Sequence, residues 1–191
     1  MYKQLIISVK VFVLIVVITG IFYPLIITGV AQIFFPYKAN GSLVIQNDKV
    51  IGSELMGQQF NSMAYFWSRP SANSYNTLPS AGSNLGPTSA KLMQQMNERK
   101  QNFIRLNSVS ASTEIPSEMI FASASGLDPH ISRAAAILQV DRIVKYRRFS
   151  DEQRKRVTDL ITKLTEAPQF HLFGEERINV FLLNLSLDKI K

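Results

Sequence analysis

Hydrophobic and polar positions divide the chain into one long uncharged segment and a longer remainder in which the two kinds of residue are mixed. No residue from Val11 to Tyr37 is charged, and Lys10 and Lys38 bound this segment. A helix needs ~20 predominantly apolar residues to cross a bilayer. The pattern therefore predicts an N-terminal anchor over residues 1–39, with one transmembrane helix over about 11–35, and a soluble domain over 40–191.

Within the predicted span, Tyr23-Pro24 predicts a kink, because proline lacks an amide donor and its ring crowds the preceding turn. On a helical wheel, one side of the helix carries four small or proline residues: Gly20, Pro24, Thr28 and Ala31. Small residues on one face let another helix approach closely. We predict this face as a contact with a membrane partner. The alternative is that glycine and proline are simply common in membrane helices.

A cleaved signal peptide is the alternative to a membrane anchor. Gly29-Val30-Ala31 resembles a cleavage site, but the apolar run exceeds the 7–15 residues of a signal-peptide core. Lys3, Lys10 and the amino terminus precede the run, which favours a cytoplasmic amino terminus and a periplasmic domain.

The remainder of the chain predicts a domain of mixed α and β structure, written here as α/β, because helical and strand-like patterns follow one another. Asn47-Asp48 tolerates positive φ and predicts the turn of a hairpin. A loop rich in Ser, Asn, Gly and Pro covers residues 68–87. The predicted strands are 42–46, 49–53, 119–123 and 178–187. Three helices are also predicted. The first is capped at Thr88 and ends near 106, the second covers 133–146, and the third runs from a Ser150–Gln153 capping box to before 168.

Composition narrows the classes of partner and of chemistry. The formal net charge is +7 with no cysteine, which excludes a disulfide framework, a thiolate nucleophile and cysteine-ligated zinc. Since three of the basic residues flank the span, the domain is only mildly basic, and we predict no nucleic-acid partner.

The candidates for acid–base and nucleophilic chemistry lie in and just before the polar segment Ser125–Ser132. Asp128 and His130 could activate one of three serines as a nucleophile: Ser123, Ser125 or Ser132. The alternative, which we favour, is that Asp128 caps a helix whose first residue is Pro129. The sequence contains no phosphate-loop, Asp-Lys-Thr-Gly or His-Glu-x-x-His motif, so we predict no catalytic or metal-ligating residue.

Seven basic residues lie around a predicted helix–helix junction: Arg142, Lys145, Arg147, Arg148, Arg154, Lys155 and Arg156. They could bind phosphate or anionic lipid. We favour the alternative that they form solvated helix faces and complement helix C-termini.

Several short motifs follow one another along almost the whole chain: Tyr23-Pro-Leu-Ile-Ile-Thr-Gly29, Asn40-Gly-Ser42, Gly52-Ser53, Phe66, Arg69-Pro-Ser71, Gly82-Ser-Asn-Leu-Gly-Pro-Thr88, Ser125-Gly-Leu-Asp-Pro-His-Ile-Ser132 and Val180–Leu185. With these motifs the chain resembles the KdpC family, the C subunits of bacterial Kdp potassium-transporting ATPases. It departs from the family at Trp67-Ser68, where a His-Gly-like pair is usual, at Ala81, where glycine is frequent, and near Glu176, which lacks a neighbouring proline.

The resemblance implies a non-catalytic accessory subunit of an ATP-driven potassium uptake system in the bacterial inner membrane. Its implied partners are a channel-like subunit, a P-type ATPase subunit, a small single-span subunit and membrane lipid. It also implies a catalytic-chaperone role, in which this subunit raises the ATP affinity of the pump. The residues that the resemblance implies for contact with the nucleotide lie in one loop: Ser80, Gly82, Ser83 and Asn84. ATP is therefore the one cofactor that the resemblance allows.

ATP is cytoplasmic, whereas the charge pattern predicts a periplasmic domain. We therefore expect an assembly role, in which the span docks against the channel-like subunit and the domain caps its outer mouth. Two other classes remain open at this point. A membrane-anchored sensor would use the 68–87 loop as a lid over a small ligand, and a membrane-anchored hydrolase would use the Ser/Asp128/His130 trio.

Overall fold

A computed structural model describes residues 2–78 and 81–190. The chain divides after Ser53 into two compact units. The described residues contain both helices and short strands, which confirms the predicted mixed fold class.

The first unit begins with one continuous helical segment of 33 residues, Tyr2–Phe34, which is long and apolar enough to cross a membrane. It consists of helix α1 (Tyr2–Val17), a π-helical turn (Ile18–Phe22) and helix α2 (Tyr23–Phe34). At the junction the Tyr23 N–H donates to the Ile18 carbonyl. Since Pro24 has no N–H, it cannot bond to the turn before it. The predicted disturbance at Tyr23-Pro24 thus takes the form of a π-helical turn.

The first unit ends in a short helix and a hairpin. Helix α3 (Pro36–Ala39) precedes Gly41, whose φ is 86°. Strands β1 (Leu43–Gln46) and β2 (Lys49–Ser53) pair antiparallel. Asn47 and Asp48 have φ of 51° and 58°, which confirms the predicted hairpin turn.

In its described residues, the second unit packs five α-helices around one apolar core. The helices are α4 (Ala90–Asn107), α5 (Arg133–Ile137), α6 (Val140–Arg147), α7 (Asp151–Leu164) and α8 (Val180–Leu187). Strands β3 (His130–Ile131) and β4 (Ile178–Asn179) pair antiparallel between them. Among the apolar side chains that are fully buried in this core, the largest are Phe66, Ile131, Ile143, Ile161, Ile178, Leu183 and Leu187.

The predicted strand at 178–187 is wrong beyond Asn179. Its first two residues form β4, and helix α8 follows because the Asn179 side chain accepts a hydrogen bond from the Leu182 N–H. Val180, Leu183, Asn184 and Leu187 are buried, which is the spacing of one helix face. A run that is apolar on all sides has no periodicity that separates strand from helix.

The predicted strand at 119–123 is also wrong. A 3₁₀ turn covers Ser117–Met119, and the Phe121 N–H bonds back to the Ser117 carbonyl. The Ile120 carbonyl accepts a hydrogen bond from Arg99. Because these backbone groups are occupied by the turn and by a side chain, the segment takes part in no ladder among the described residues.

The structure adjusts two helix predictions and confirms the start of a third. Ser89, one residue after Thr88, caps α4 through its hydroxyl. The helix predicted over 133–146 breaks into α5 and α6 at Leu138-Gln139. The capping box of Ser150 and Gln153 at the start of α7 is confirmed.

Candidate functional site

The segment Ser62–Ser68 begins with a turn at residues 62–65, and its backbone is bonded to side chains of the second unit. Asn184 accepts from the Phe66 N–H at 2.8 Å and donates to the Phe66 carbonyl at 2.9 Å. Gln139 accepts from the Trp67 N–H at 2.8 Å. Buried backbone polar groups need such partners, so these amides take the place of a neighbouring strand.

Arg142 holds the same segment and is almost fully buried. It donates to the carbonyls of Met63 at 2.8 Å and Tyr65 at 2.9 Å, and to the side-chain oxygens of Asn107 and Gln139. Its guanidinium lies 3.8 Å from the centre of the Trp67 ring, in cation–π contact. Burial lowers the pKa of Arg142 to about 10.

The seven basic residues do not assemble into one anion site. Arg142 lies in the core, and three others form ion pairs on the surface: Arg147 with Asp188, Arg154 with Asp141, and Arg156 with Glu152. Lys145, Arg148 and Lys155 are exposed. The solvated-face interpretation fits the exposed members of the cluster, but it is wrong for Arg142, which is buried and bonded to carbonyl and amide oxygens of the core.

Asp128 joins two distant parts of the second unit. One oxygen, Oδ2, lies 2.7 Å from Nη1 of Arg69, and Oδ1 accepts from the His130 N–H at 3.0 Å. The Nδ1 atom of His130 lies 3.5 Å from Oδ1. Burial alone raises the pKa of the Asp128 carboxyl, but the hydrogen bonds from His130 and Arg69 outweigh it and lower that pKa to about 2.

A glycine lets the backbone approach Asp128 closely. The Gly57 N–H donates to the Leu127 carbonyl at 2.7 Å, and a Cβ on Gly57 would lie 2.6 Å from the Asp128 carbonyl oxygen. Any larger residue at 57 would therefore push the Leu127-Asp128 backbone away.

The prediction that Asp128 caps a helix beginning at Pro129 is wrong. His130 and Ile131 pair with β4, so they are extended and cannot form a first helical turn. Helix α5 begins instead at Arg133, where Ser132 is the N-cap. The Asp128 carboxylate still accepts a hydrogen bond from a backbone N–H, as a capping residue would, but the donor is His130, two residues later in a tight turn.

The three serines considered as nucleophiles have structural roles. Ser123 is buried. The Ser125 hydroxyl accepts from the Leu127 N–H, and the Ser132 hydroxyl accepts from the Ala135 N–H. An N-cap hydroxyl that accepts a backbone donor is a common stabilising arrangement, so the geometry favours turn and cap roles over nucleophilic catalysis.

An open cleft of about 640 Å³ is lined in part by Arg69, Asp128 and His130. Its walls carry polar and charged side chains from four separate parts of the chain: Arg69, Glu118, Asp128, His130, Gln169, Glu175, Glu176 and Arg177. Among the described residues, no group of three or more potential metal ligands was found.

The loop implied to contact nucleotide packs against residues 124–126. Ser80 lies outside the described residues. A Cβ on Gly82 would lie 2.8 Å from the Ala124 carbonyl oxygen, and Asn84 has φ of 51°. Ser83 and Asn84 are exposed. The loop is therefore held closely on one side and open on the other.

The residues of the predicted membrane contact lie in the helical segment of the first unit. Gly20 falls in the π-helical turn, whereas Pro24, Thr28 and Ala31 lie in α2 at a spacing that shares one helix face. Apart from the adjoining residues and backbone of the helix itself, no atom of the chain lies within 4 Å of a Cβ built on Gly20 or on Gly29.

Comparison with known proteins identifies the family. The profile described as "KdpC: K⁺-transporting ATPase, c chain" matches residues 5–189. The chain belongs to the KdpC family. It is 48% identical over 176 residues to the potassium-transporting ATPase KdpC subunit of Acidobacterium capsulatum, with 91% of each chain covered. It is 45% identical over 190 residues to that of Koribacter versatilis, with 98% of this chain and 95% of the relative covered.

KdpC membership makes the chain an accessory subunit of the Kdp potassium uptake system. This decides against the sensor and hydrolase alternatives. In the part of the chain that the structure describes, one helical segment is long and apolar enough to cross a membrane, which is consistent with a single-pass membrane protein.

Sequence reasoning missed the side chains that hold the Ser62–Ser68 segment. One signal was available, because Asn184 is a polar residue inside the apolar run Val180–Leu187, and a buried amide needs a polar partner.

Proposed function

We propose that this subunit is non-catalytic and acts in assembly. Its span docks against the channel-like subunit through Gly20, Pro24, Thr28 and Ala31, and its domain caps the outer mouth of that subunit. The remaining partners are the P-type ATPase subunit, the small single-span subunit and membrane lipid. The observation that carries the proposal is the helical segment Tyr2–Phe34, whose apolar side chains are exposed along its length. Lipid and partner helices are the surroundings that can cover such a surface.

The engagement of the polar side chains supports a non-catalytic role. Asp128 is paired with Arg69, and the Ser132 hydroxyl caps a helix. A catalytic base or nucleophile must be free to exchange a proton with substrate. These groups are instead bonded to the protein's own backbone and side chains.

Co-purification in mild detergent tests the docking face. A tagged full-length chain is co-expressed with the pump subunits, and Gly20→Leu is compared with Gly29→Leu. Neither substitution meets an atom of the chain itself, and Gly29 lies on a different side of the helix. We expect Gly20→Leu to release the pump subunits and Gly29→Leu to retain them. Equal retention by both variants would contradict the proposed face.

We propose that the amino terminus is cytoplasmic and the domain periplasmic, on the basis of Lys3 and Lys10 before the apolar run. Because the chain has no cysteine, Ser112→Cys places a single thiol on an exposed site of the domain. An impermeant maleimide should label it while the inner membrane is intact. Labelling only after rupture of the inner membrane would reverse the topology.

The ATP-affinity role remains a prediction from the resemblance, and the exposure of Ser83 and Asn84 is compatible with it. It is tested by comparing the KM for ATP of the whole complex with that of complexes carrying Ser83→Ala or Asn84→Ala. Under the assembly role the KM is unchanged. A several-fold rise in KM without loss of subunits would favour the chaperone role.

A further inference from the structure

The connection between α7 and β4 is a projecting hairpin, Glu166–Arg177. Glu166 and Arg177 exchange backbone hydrogen bonds of 2.8 and 3.1 Å, and Gln169 and Phe173 exchange bonds of 2.8 and 2.9 Å. The Arg177 Nε atom also lies 2.9 Å from the Glu166 carboxylate. The 166–177 hairpin is therefore held along its length by its own hydrogen bonds.

The tip of this hairpin is fixed in an unusual conformation. Phe170 and His171 have φ of 55° and 57°, in the left-handed region that residues other than glycine rarely adopt. The His171 N–H bonds to the Pro168 carbonyl and the Leu172 N–H to the Gln169 carbonyl. The turn thus presents its side chains in one defined arrangement.

Three large apolar side chains lie at the tip and face outward. Phe170 is 89% exposed, Leu172 75% and Phe173 63%. Each of these side chains forgoes most of the stabilisation that burial of its apolar surface would give. Clustered exposed apolar groups of this kind mark interaction sites, and aromatic residues are enriched at the centres of protein interfaces.

The charges beside the tip indicate what covers it. Glu175 and Glu176 are exposed, and within the described chain neither lies within ion-pair distance of a basic side chain, whereas the charge of Arg177 is paired with Glu166. An anionic membrane surface would repel the two free carboxylates. A protein socket with an apolar floor and a basic rim would complement both the tip and its neighbours.

We infer that the 166–177 hairpin inserts Phe170, Leu172 and Phe173 into an apolar, basic-rimmed socket on another protein subunit of the potassium-transporting complex. This inference rests on the proposed assembly function and adds the surface through which the domain takes part in it. The hairpin is preorganised, so binding loses little backbone entropy.

Site-specific photo-crosslinking in the whole complex tests the inference. The photoreactive residue p-benzoylphenylalanine replaces Leu172 in one full-length chain and Tyr146 in a control chain. Tyr146 is also an exposed aromatic side chain, on α6. We expect light-dependent adducts with a pump subunit from position 172 and at least about tenfold fewer from position 146. Adducts with lipid or with a second copy of this chain, equal adducts from both positions, or none from position 172 in an intact complex would overturn it.

Charge reversal tests the basic rim. Glu175→Lys combined with Glu176→Lys should reduce the adduct yield from position 172 several-fold, while Asp159→Lys, at an exposed acid on α7, should leave it unchanged. An unchanged or increased yield in the double variant would overturn the rim. If the wild-type chain retained no pump subunits, the proposed function would fail together with this inference. Retained subunits without an adduct would overturn the inference alone.

Discussion

Arg142 and Arg69 both bond to groups inside the second unit, but the partners of Arg142 are neutral oxygens, whereas the partner of Arg69 is a carboxylate. Arg142 is almost fully buried and donates to four neutral oxygens within 2.9 Å. Arg69 is partly exposed, pairs with the Asp128 carboxylate at 2.7 Å, and leaves its buried Nε atom without a partner among the described residues. The comparison predicts that the core requires the number and geometry of the Arg142 donors, whereas the Arg69–Asp128 pair depends on charge.

The largest expected effect is the loss of Arg142. Arg142→Met leaves the Met63 and Tyr65 carbonyls and the Asn107 side-chain oxygen unpaired, at ~1–3 kcal/mol for each group that finds no water. The Gln139 oxygen keeps its hydrogen bond from the Trp67 N–H. We expect the free energy of unfolding to fall by about 4 kcal/mol. Urea unfolding of the full chain in mild detergent measures it, with the single tryptophan, Trp67, as the fluorescent probe.

Two further variants sharpen this result. Lys145→Met removes an exposed charge from the same helix, and we expect less than ~0.5 kcal/mol. Arg142→Lys keeps the charge but lacks the planar fork of donors, so it should recover less than half of the loss. Full recovery by lysine would mean that charge, rather than donor geometry, is what the core requires.

The same contrast separates what the sequence could predict from what it could not. The Asn47-Asp48 turn and the Ser150–Gln153 capping box are encoded within a few neighbouring residues, and both were predicted. Arg142 instead bonds to carbonyls 77 and 79 residues earlier, and no local pattern reports such a pairing. At the candidate site, the Asp128–His130 proximity was visible in the spacing. The Arg69 partner, 59 residues away, was not.

Asp128→Asn should have the next largest effect. Asparagine keeps an acceptor for the His130 N–H but loses the ion pair with Arg69. Because the folded-state pKa lies at about 2 against an ordinary 3.8, and because the site is partly exposed, we expect a loss of about 1–2 kcal/mol near neutral pH. Glu152→Gln, in an exposed pair on α7, is the control and should cost less than ~0.5 kcal/mol. Equal losses would remove the distinction between the two sites.

The pH dependence of stability should report the same carboxylate. Its pKa is lower in the folded chain than in the unfolded chain, so the unfolded chain takes up the proton first as the pH falls. The contribution of Asp128 is therefore complete above about pH 5 and is lost between about pH 4 and pH 2. Urea titrations of wild type and Asp128→Asn across this window should converge at the acid end. A difference that stayed constant with pH would show that the loss arises from shape rather than charge.

Of the arginine substitutions, one at Arg156 should change the free energy of unfolding least, because this side chain is the most exposed of the arginines compared. It pairs with Glu152 at 2.6 Å, and both side chains are more than half exposed, so solvent screens the attraction and the flexible side chains lose entropy when they pair. Arg156→Gln should lower the free energy of unfolding by ~0.3–0.5 kcal/mol, and the difference should disappear in about 1 M salt, where the screening length is ~3 Å.

Retention of the pump subunits by the same variant separates the two interpretations of the basic cluster. If the exposed arginines are solvated, retention is unchanged. A variant that keeps its stability but loses its partners would instead show that these charges bind an anionic surface in the complex.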